Sequence, residues 1–120
     1  MGYRSELTVV IYGNGRNLEQ YEALKVFMNT TFVSVYKEWE STVEWNDRGV
    51  LIFRIEDVKW YDSYSDVKEF NAMLDVLANE LEYNYEMIRL GEEDDDTERT
   101  TGGDNVEWML NVGRSVNVDI

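Results

Sequence analysis

Near the start of the chain Leu7, Val9 and Ile11 alternate with Thr8, Val10 and Tyr12. Both sets are apolar or β-branched, so the pattern predicts a strand with both faces partly covered. Gly13-Asn14-Gly15 breaks it, and Asn17 offers the short acceptor side chain of a helix N-cap. Leu18, Tyr21, Leu24, Met28, Phe32, Val35 and Trp39 then recur three or four positions apart. They form one apolar stripe on a helix of about six turns. The β-branched stretch Thr30-Thr31-Phe32-Val33 marks where that helix bends or ends.

Two short strands follow, Thr42 to Trp45 and Val50 to Ile55, around the hairpin signal Asn46-Asp47-Arg48-Gly49. Leu51, Phe53 and Ile55 should face one way, and Val50, Ile52 and Arg54 the other. Ser63 with Asp66 resembles a capping box, Asp replacing the usual Glu. Val67, Phe70, Leu74, Leu77 and Leu81 behind it give the clearest helical spacing in the chain. Tyr83 to Leu90 reads as a strand closed by Gly91, and residues from about 91 to 105 as an acidic loop. Val106, Trp108, Leu110 and Val112 alternate as a half-buried strand. Gly113-Arg114 is a turn or bulge before Val116, Val118 and Ile120.

Strand, helix, strand, strand, helix, strand is the split βαβ order. The expected class is α+β: a single ferredoxin-like domain of residues 1–120, with an antiparallel sheet, two helices on one face, and one or two extra C-terminal strands. Tyr21, Trp39 and Trp108 are expected in its core. No stretch is apolar enough for a signal-peptide core or a membrane span, so a cytoplasmic location is expected.

Charge changes the picture. There are 25 Asp and Glu against 11 Lys and Arg, a formal charge of −14. Such a surface repels phosphates and anionic lipid heads, so neither nucleic acid nor membrane is an expected direct partner. His and Cys are absent, which excludes Ser-His-Asp and Cys-His nucleophiles, disulfides and the usual structural zinc sites. Gly13-Asn14-Gly15 lies where a phosphate loop would, yet no third Gly and no Lys-Ser/Thr follow. A chain this short offers little cleft for paired-carboxylate chemistry. The expectation is a protein without enzymatic activity, cofactor or dedicated metal.

Glu92-Glu93-Asp94-Asp95-Asp96-Thr97-Glu98 places six carboxylates in seven residues. An EF-hand register from Asp96 would use Glu98, Asp104 and Glu107, but Thr101 stands where the loop needs Gly. Weak divalent binding in this loop is a secondary expectation. Carboxylates also stud the helices: Glu19 and Glu22, Glu38 and Glu40, then Asp66, Glu69, Asp75 and Glu80. Helical neighbours three or four apart lie about 5–6 Å from each other, while one DNA strand presents a charge about every 3.4 Å. Rigid carboxylates at such intervals can imitate a phosphate track. Trp60 and Tyr61 stand among Asp57, Asp62 and Asp66, and aromatics so placed are typical contact anchors. The candidate partner-binding residues are therefore Glu92, Glu93, Asp94, Asp95, Asp96, Glu98, Asp57, Trp60, Tyr61, Asp66 and Glu69.

Three stretches carry a resemblance: Met1-Gly2-Tyr3-Arg4-Ser5-Glu6, Ile55-Glu56-Asp57-Val58-Lys59-Trp60-Tyr61, and Tyr85-Glu86-Met87-Ile88-Arg89-Leu90-Gly91-Glu92 with the acids that lead to Arg114-Ser115. Together the chain resembles a family of small acidic tailed-phage and prophage proteins opening Met-Gly-Tyr-Arg-Ser. The resemblance carries no catalytic residue. It implies an infected bacterial host, and a role in blocking a host enzyme or defence system such as restriction, a CRISPR effector, a repair nuclease or RNA polymerase. The expected function is an acidic nucleic-acid mimic occupying the basic groove of such a protein. The alternatives are a small assembly protein, acting through the aromatic patch or as a homodimer through the Ser115 to Ile120 edge, and a weak calcium-binding domain.

Overall fold

The computed structural model describes residues 5–31, 41–46, 48–58, 65–91, 96–112 and 116–118. The first strand, β1 (Ser5–Tyr12), is buried at every position but Glu6, as a strand covered on both faces must be. It lies between β3 (Val50–Val58) and β4 (Asn84–Leu90) and is antiparallel to both. Outside β3 runs β2 (Ser41–Asn46), and outside β4 runs β5 (Thr97–Gly102). The sheet order is β2-β3-β1-β4-β5.

Alternation along the strands sorts side chains to two covers. Leu7, Val9 and Ile11 of β1, with Leu51, Phe53 and Ile55 of β3, meet the helices α1 (Leu18–Thr31) and α2 (Ser65–Asn79). Phe53 stacks on Phe70 with ring centroids 5.6 Å apart. Val10, Tyr12, Val50, Ile52 and Ile88 face the other way and receive Met109, Leu110 and Val118. Those last residues belong to the C-terminal segment, whose β6 (Leu110–Val112) and β7 (Val116–Val118) form a separate two-stranded sheet. The molecule is thus α+β, with both helices against one face of an antiparallel sheet and the C-terminal segment against the other.

Local chemistry explains the borders. The backbone N–H of Gln20 donates to Asn17 Oδ1 at 3.1 Å, so Asn17 caps α1 as expected. The β2–β3 hairpin turns at Gly49, whose φ of 83° lies in the left-handed region. A Cβ there would press on the Arg16 carbonyl. Two amides, Glu80 N and Leu81 N, both donate to the Val76 carbonyl and close α2, while Tyr83 N reaches back to Leu77 O.

Several expectations need correction. The sequence from about 91 to 105 is not one loop, because Thr97–Gly102 pairs along β4 as β5. Together with β6 and β7 that makes three strands after β4, not one or two. Within the expected strand from Val106 to Val112, only Leu110–Val112 is strand. Trp108 is not core: its φ is 55°, which breaks extended alternation, and the ring is 60% exposed beside Arg99. Leu18 and Leu81 are exposed as well, Leu81 because α2 has closed before it. The described part of α1 ends at Thr31, so Phe32, Val35, Trp39 and the Ser63–Asp66 capping box lie outside the described residues or their described side chains. Among the described residues no helix is long and apolar enough to cross a membrane.

Candidate functional site

The predicted partner-binding residues fall into three groups. Glu92, Glu93, Asp94, Asp95, Trp60 and Tyr61 lie outside the described residues. Asp57 and Asp66 have a described backbone, in β3 and α2, but no described side chain. Asp96, Glu98 and Glu69 are described in full, and they behave differently from one another.

Asp96 and Glu98 flank Arg89, which β4 presents on the helix-covered face. Its guanidinium donates to Asp96 through Nη1 at 3.3 Å and Nη2 at 2.9 Å, a two-point clamp. It also donates to Glu98 Oε2 from Nε at 3.4 Å and Nη2 at 3.3 Å, and to Ser5 Oγ at 3.2 Å. The Asp96 hydrogen bonds raise the Arg89 pKa above its ordinary value, against the opposing effect of burial. So the C-terminal end of the acid run is tied to the sheet. These two carboxylates are partly neutralised, not a bare anionic tip.

Glu69 is exposed on α2. It is one of several exposed acids in the helical layer: Glu19 and Glu22 on α1, Asp75 on α2, and Glu80 and Glu82 just beyond it are exposed too. Cations are few there. Lys25 lies 3.4 Å from Glu22 and 4.6 Å from the Tyr21 ring centre, and Lys68 is the other lysine of these two helices. Six exposed acids against two lysines leave this layer anionic.

On the opposite face, acids serve the interior. Glu86 of β4 is 1% exposed. Its Oε2 accepts from the Tyr12 hydroxyl at 2.7 Å, and its Oε1 accepts from the Leu110 amide at 3.2 Å. The Tyr12 oxygen in turn accepts from the Glu107 amide at 2.7 Å. Burial raises the Tyr12 pKa above 10.0; the Glu107 N–H opposes it and the Glu86 carboxylate adds to it. Arg16 Nη2 meets the Glu107 carboxylate at 3.3 Å, and Arg99 donates to the Leu110 carbonyl at 3.2 Å. Asn84 and Asn105 both donate to Asn14 Oδ1 at 3.0 Å, and the Asn105 amide donates to Asn84 Oδ1 at 2.8 Å. These bonds seat residues 105–110 on the sheet.

Sequence reasoning missed this polar seat. Its one signal was that Asn84, Glu86 and Ile88 share a face of a strand neighbouring Tyr12, which the both-faces-covered reading of β1 already placed inside. The Gly13-Asn14-Gly15 turn is likewise filled by its own chain, since Gln20 Oε1 accepts from the Asn14 amide at 3.1 Å. A side chain at Gly13 would collide with Gln20.

The calcium register does not assemble. Its first half is β5, Asp96 and Glu98 face Arg89, and Glu107 faces Arg16. Among the described residues no group of three or more acidic side chains is placed to hold a metal ion. Compared with known proteins, the chain matches no protein-family model, no curated protein and no solved structure.

Proposed function

We propose that this protein is a non-enzymatic binding protein of the phage accessory kind, which presents a fixed anionic surface to the basic groove of a bacterial nucleic-acid-handling or defence protein. The observation that carries it is the helical layer: six exposed carboxylates on or beside two rigid helices, opposed by two lysines. Regular helices hold such charges at set intervals, which a free acidic tail does not. Binding would release counterions from the partner's groove and weaken steeply with salt. The Glu92 to Asp95 run extends the same charge along the chain, and Trp60 and Tyr61 supply aromatic anchors.

The fold supports this reading only as a scaffold. We take its βαββαβ part as ferredoxin-like, because β1 and β2 run in the same direction with β3 between them. The resemblance of the opening Met-Gly-Tyr-Arg-Ser to small tailed-phage proteins supplies the setting, the cytoplasm of an infected bacterium. Pull-down from bacterial lysate at rising salt tests the reading. Captured proteins should be biased to nucleic-acid binders, and capture should fall with salt. Replacing Glu69, Asp75 and Glu80 by their amides should reduce it more than replacing Asp96, which Arg89 already holds. Salt-insensitive capture of unrelated proteins would remove the proposal. Assembly through a sheet edge is the second reading: of the Ser115 to Ile120 edge only 116–118 lie among the described residues, and β5 offers another edge as the last strand of the main sheet. Sedimentation at several concentrations tests it, and a strict monomer would exclude it.

A further inference from the structure

We infer that a cleft between α2 and the β4–β5 edge is a receptor for one cationic side chain, the arginine or lysine of a protein partner. The inference deepens the reading above and rests on it for the nature of the partner. The cleft has a volume of about 180 Å³ and lies on the helix-covered face. Asn71, Asp75, Glu98 and Thr100 make most of its lining polar, and Leu74, Met87 and the Tyr85 ring supply the smaller apolar part.

Four features make it a built site. Tyr85 is 7% exposed, lines the cleft, and has no hydrogen-bond partner for its hydroxyl among the described residues. The side chain is buried but its hydroxyl oxygen is not, so that oxygen stays open to solvent and to an incoming donor. The Asp75 carboxylate acts on that hydroxyl, helping burial to raise its pKa above 10.0. Neither Asn71, Asp75 nor Thr100 makes a side-chain hydrogen bond or ion pair among the described residues, and Glu98 meets Arg89 through Oε2, leaving Oε1 without a bond. Finally, Gly102 lacks the Cβ that would strike the Tyr85 ring, so the ring can lie across β5 and form the wall.

This combination has one natural complement. Its apolar part suits the methylene stem of arginine or lysine, and the Asp75 carboxylate, the remaining oxygen of the Arg89-held Glu98 and the phenol oxygen suit its charged head. A phosphate would be repelled by Asp75 and Glu98. A divalent cation would find two carboxylates and an apolar wall instead of the six or more oxygens it prefers. On a basic groove, the residue that normally holds a phosphate oxygen would enter here.

The test uses the full chain and blocked arginine, Nα-acetyl-arginine amide, followed by nitrogen–proton NMR. Saturable shifts should centre on Asn71, Asp75, Met87 and Thr100. Blocked citrulline, neutral and of the same shape, should produce none. Asp75→Asn should weaken binding roughly tenfold, as loss of a charge-assisted bond does. Tyr85→Phe should weaken it less, and Asp104→Asn should leave it unchanged. Shifts spread evenly over Glu19, Glu22 and Glu80, equal binding of citrulline, or an unaltered affinity in Asp75→Asn would overturn the inference. Arginine binding here with no bias to nucleic-acid binders in the lysate experiment would sink the mimic and keep the cleft. The reverse pair of results would keep the mimic and sink the cleft.

Discussion

The two covers of the sheet use carboxylates in opposite ways. Under the helices the interior is apolar, and acids stand outside: Glu69, Asp75 and Glu80 are exposed, while Leu74, Leu77 and Phe70 are buried. Under the C-terminal segment an acid is inside. Glu86 is buried and holds Tyr12 and the Leu110 amide, while Glu107 turns to Arg16. An acid turned inward is fixed by donors and becomes structure. An acid held outward on a helix stays available to a partner. Net charge therefore overstates what a partner meets, and among the described residues six of the eleven exposed acids lie on or beside the two helices.

The largest expected effect lies under the helices. Leu77→Ala removes a fully buried side chain from the apolar cover and should cost about 3 kcal/mol in denaturant unfolding. Glu86→Ala should cost about 2 kcal/mol, because it leaves the Tyr12 hydroxyl and Leu110 amide without their acceptor. The two losses should differ in place as well as size. Hydrogen exchange after Glu86→Ala should speed up at Leu110 and spare Leu24 and Leu77. If protection fell equally under both covers, the contrast drawn above would fail.

Alkali should expose the same contrast. Tyr12, Tyr83 and Tyr85 all have pKa values raised from 10.0, chiefly by burial. In the unfolded chain they ionise near 10, so the folded state favours their neutral forms. Their contribution is complete below pH 10 and is lost as pH climbs above it. Denaturant midpoints should be level with respect to these groups from pH 7 to 9 and fall beyond 10. Tyr12→Phe should flatten that fall.

Smaller still, Arg89→Met should cost about 1 kcal/mol, since Arg89 is mostly covered but its Glu98 partner is largely exposed. It should also quicken exchange of the Gly91 amide, which donates to the Asp96 carbonyl. Thr8→Val should have the opposite sign. The Thr8 hydroxyl is buried without a hydrogen-bond partner, so replacing it should raise stability by roughly 1 kcal/mol.

Much of the scaffold was legible in the sequence, for identifiable reasons. The apolar, β-branched runs of β1 and β3 mark strands covered on both faces, and the α2 stripe matches the helical period, so both kinds of element could be read from the residues. The same reasoning passed over β5. Thr97-Glu98-Arg99-Thr100-Thr101-Gly102 has no apolar alternation, because an edge strand this exposed needs none. Trp108 misled in the other direction: its place in an alternating run counted for less than its left-handed backbone. Of the candidate site, the exposed helix acids were legible as charges on a helical face. The clamp on Asp96 and Glu98 was not, since Arg89 reaches them only once β5 is paired. Nor was the cleft, which needs Gly102 beneath the Tyr85 ring and α2 above β5.

The most direct measurement passes bacterial lysate over immobilised duplex DNA, then elutes at low salt with this protein or with polyglutamate of equal total charge. The account predicts that the protein releases one or a few DNA-binding proteins that polyglutamate leaves bound, and that Glu69→Gln with Asp75→Asn reduces the release. Equal release by polyglutamate, or none by the protein, would contradict it.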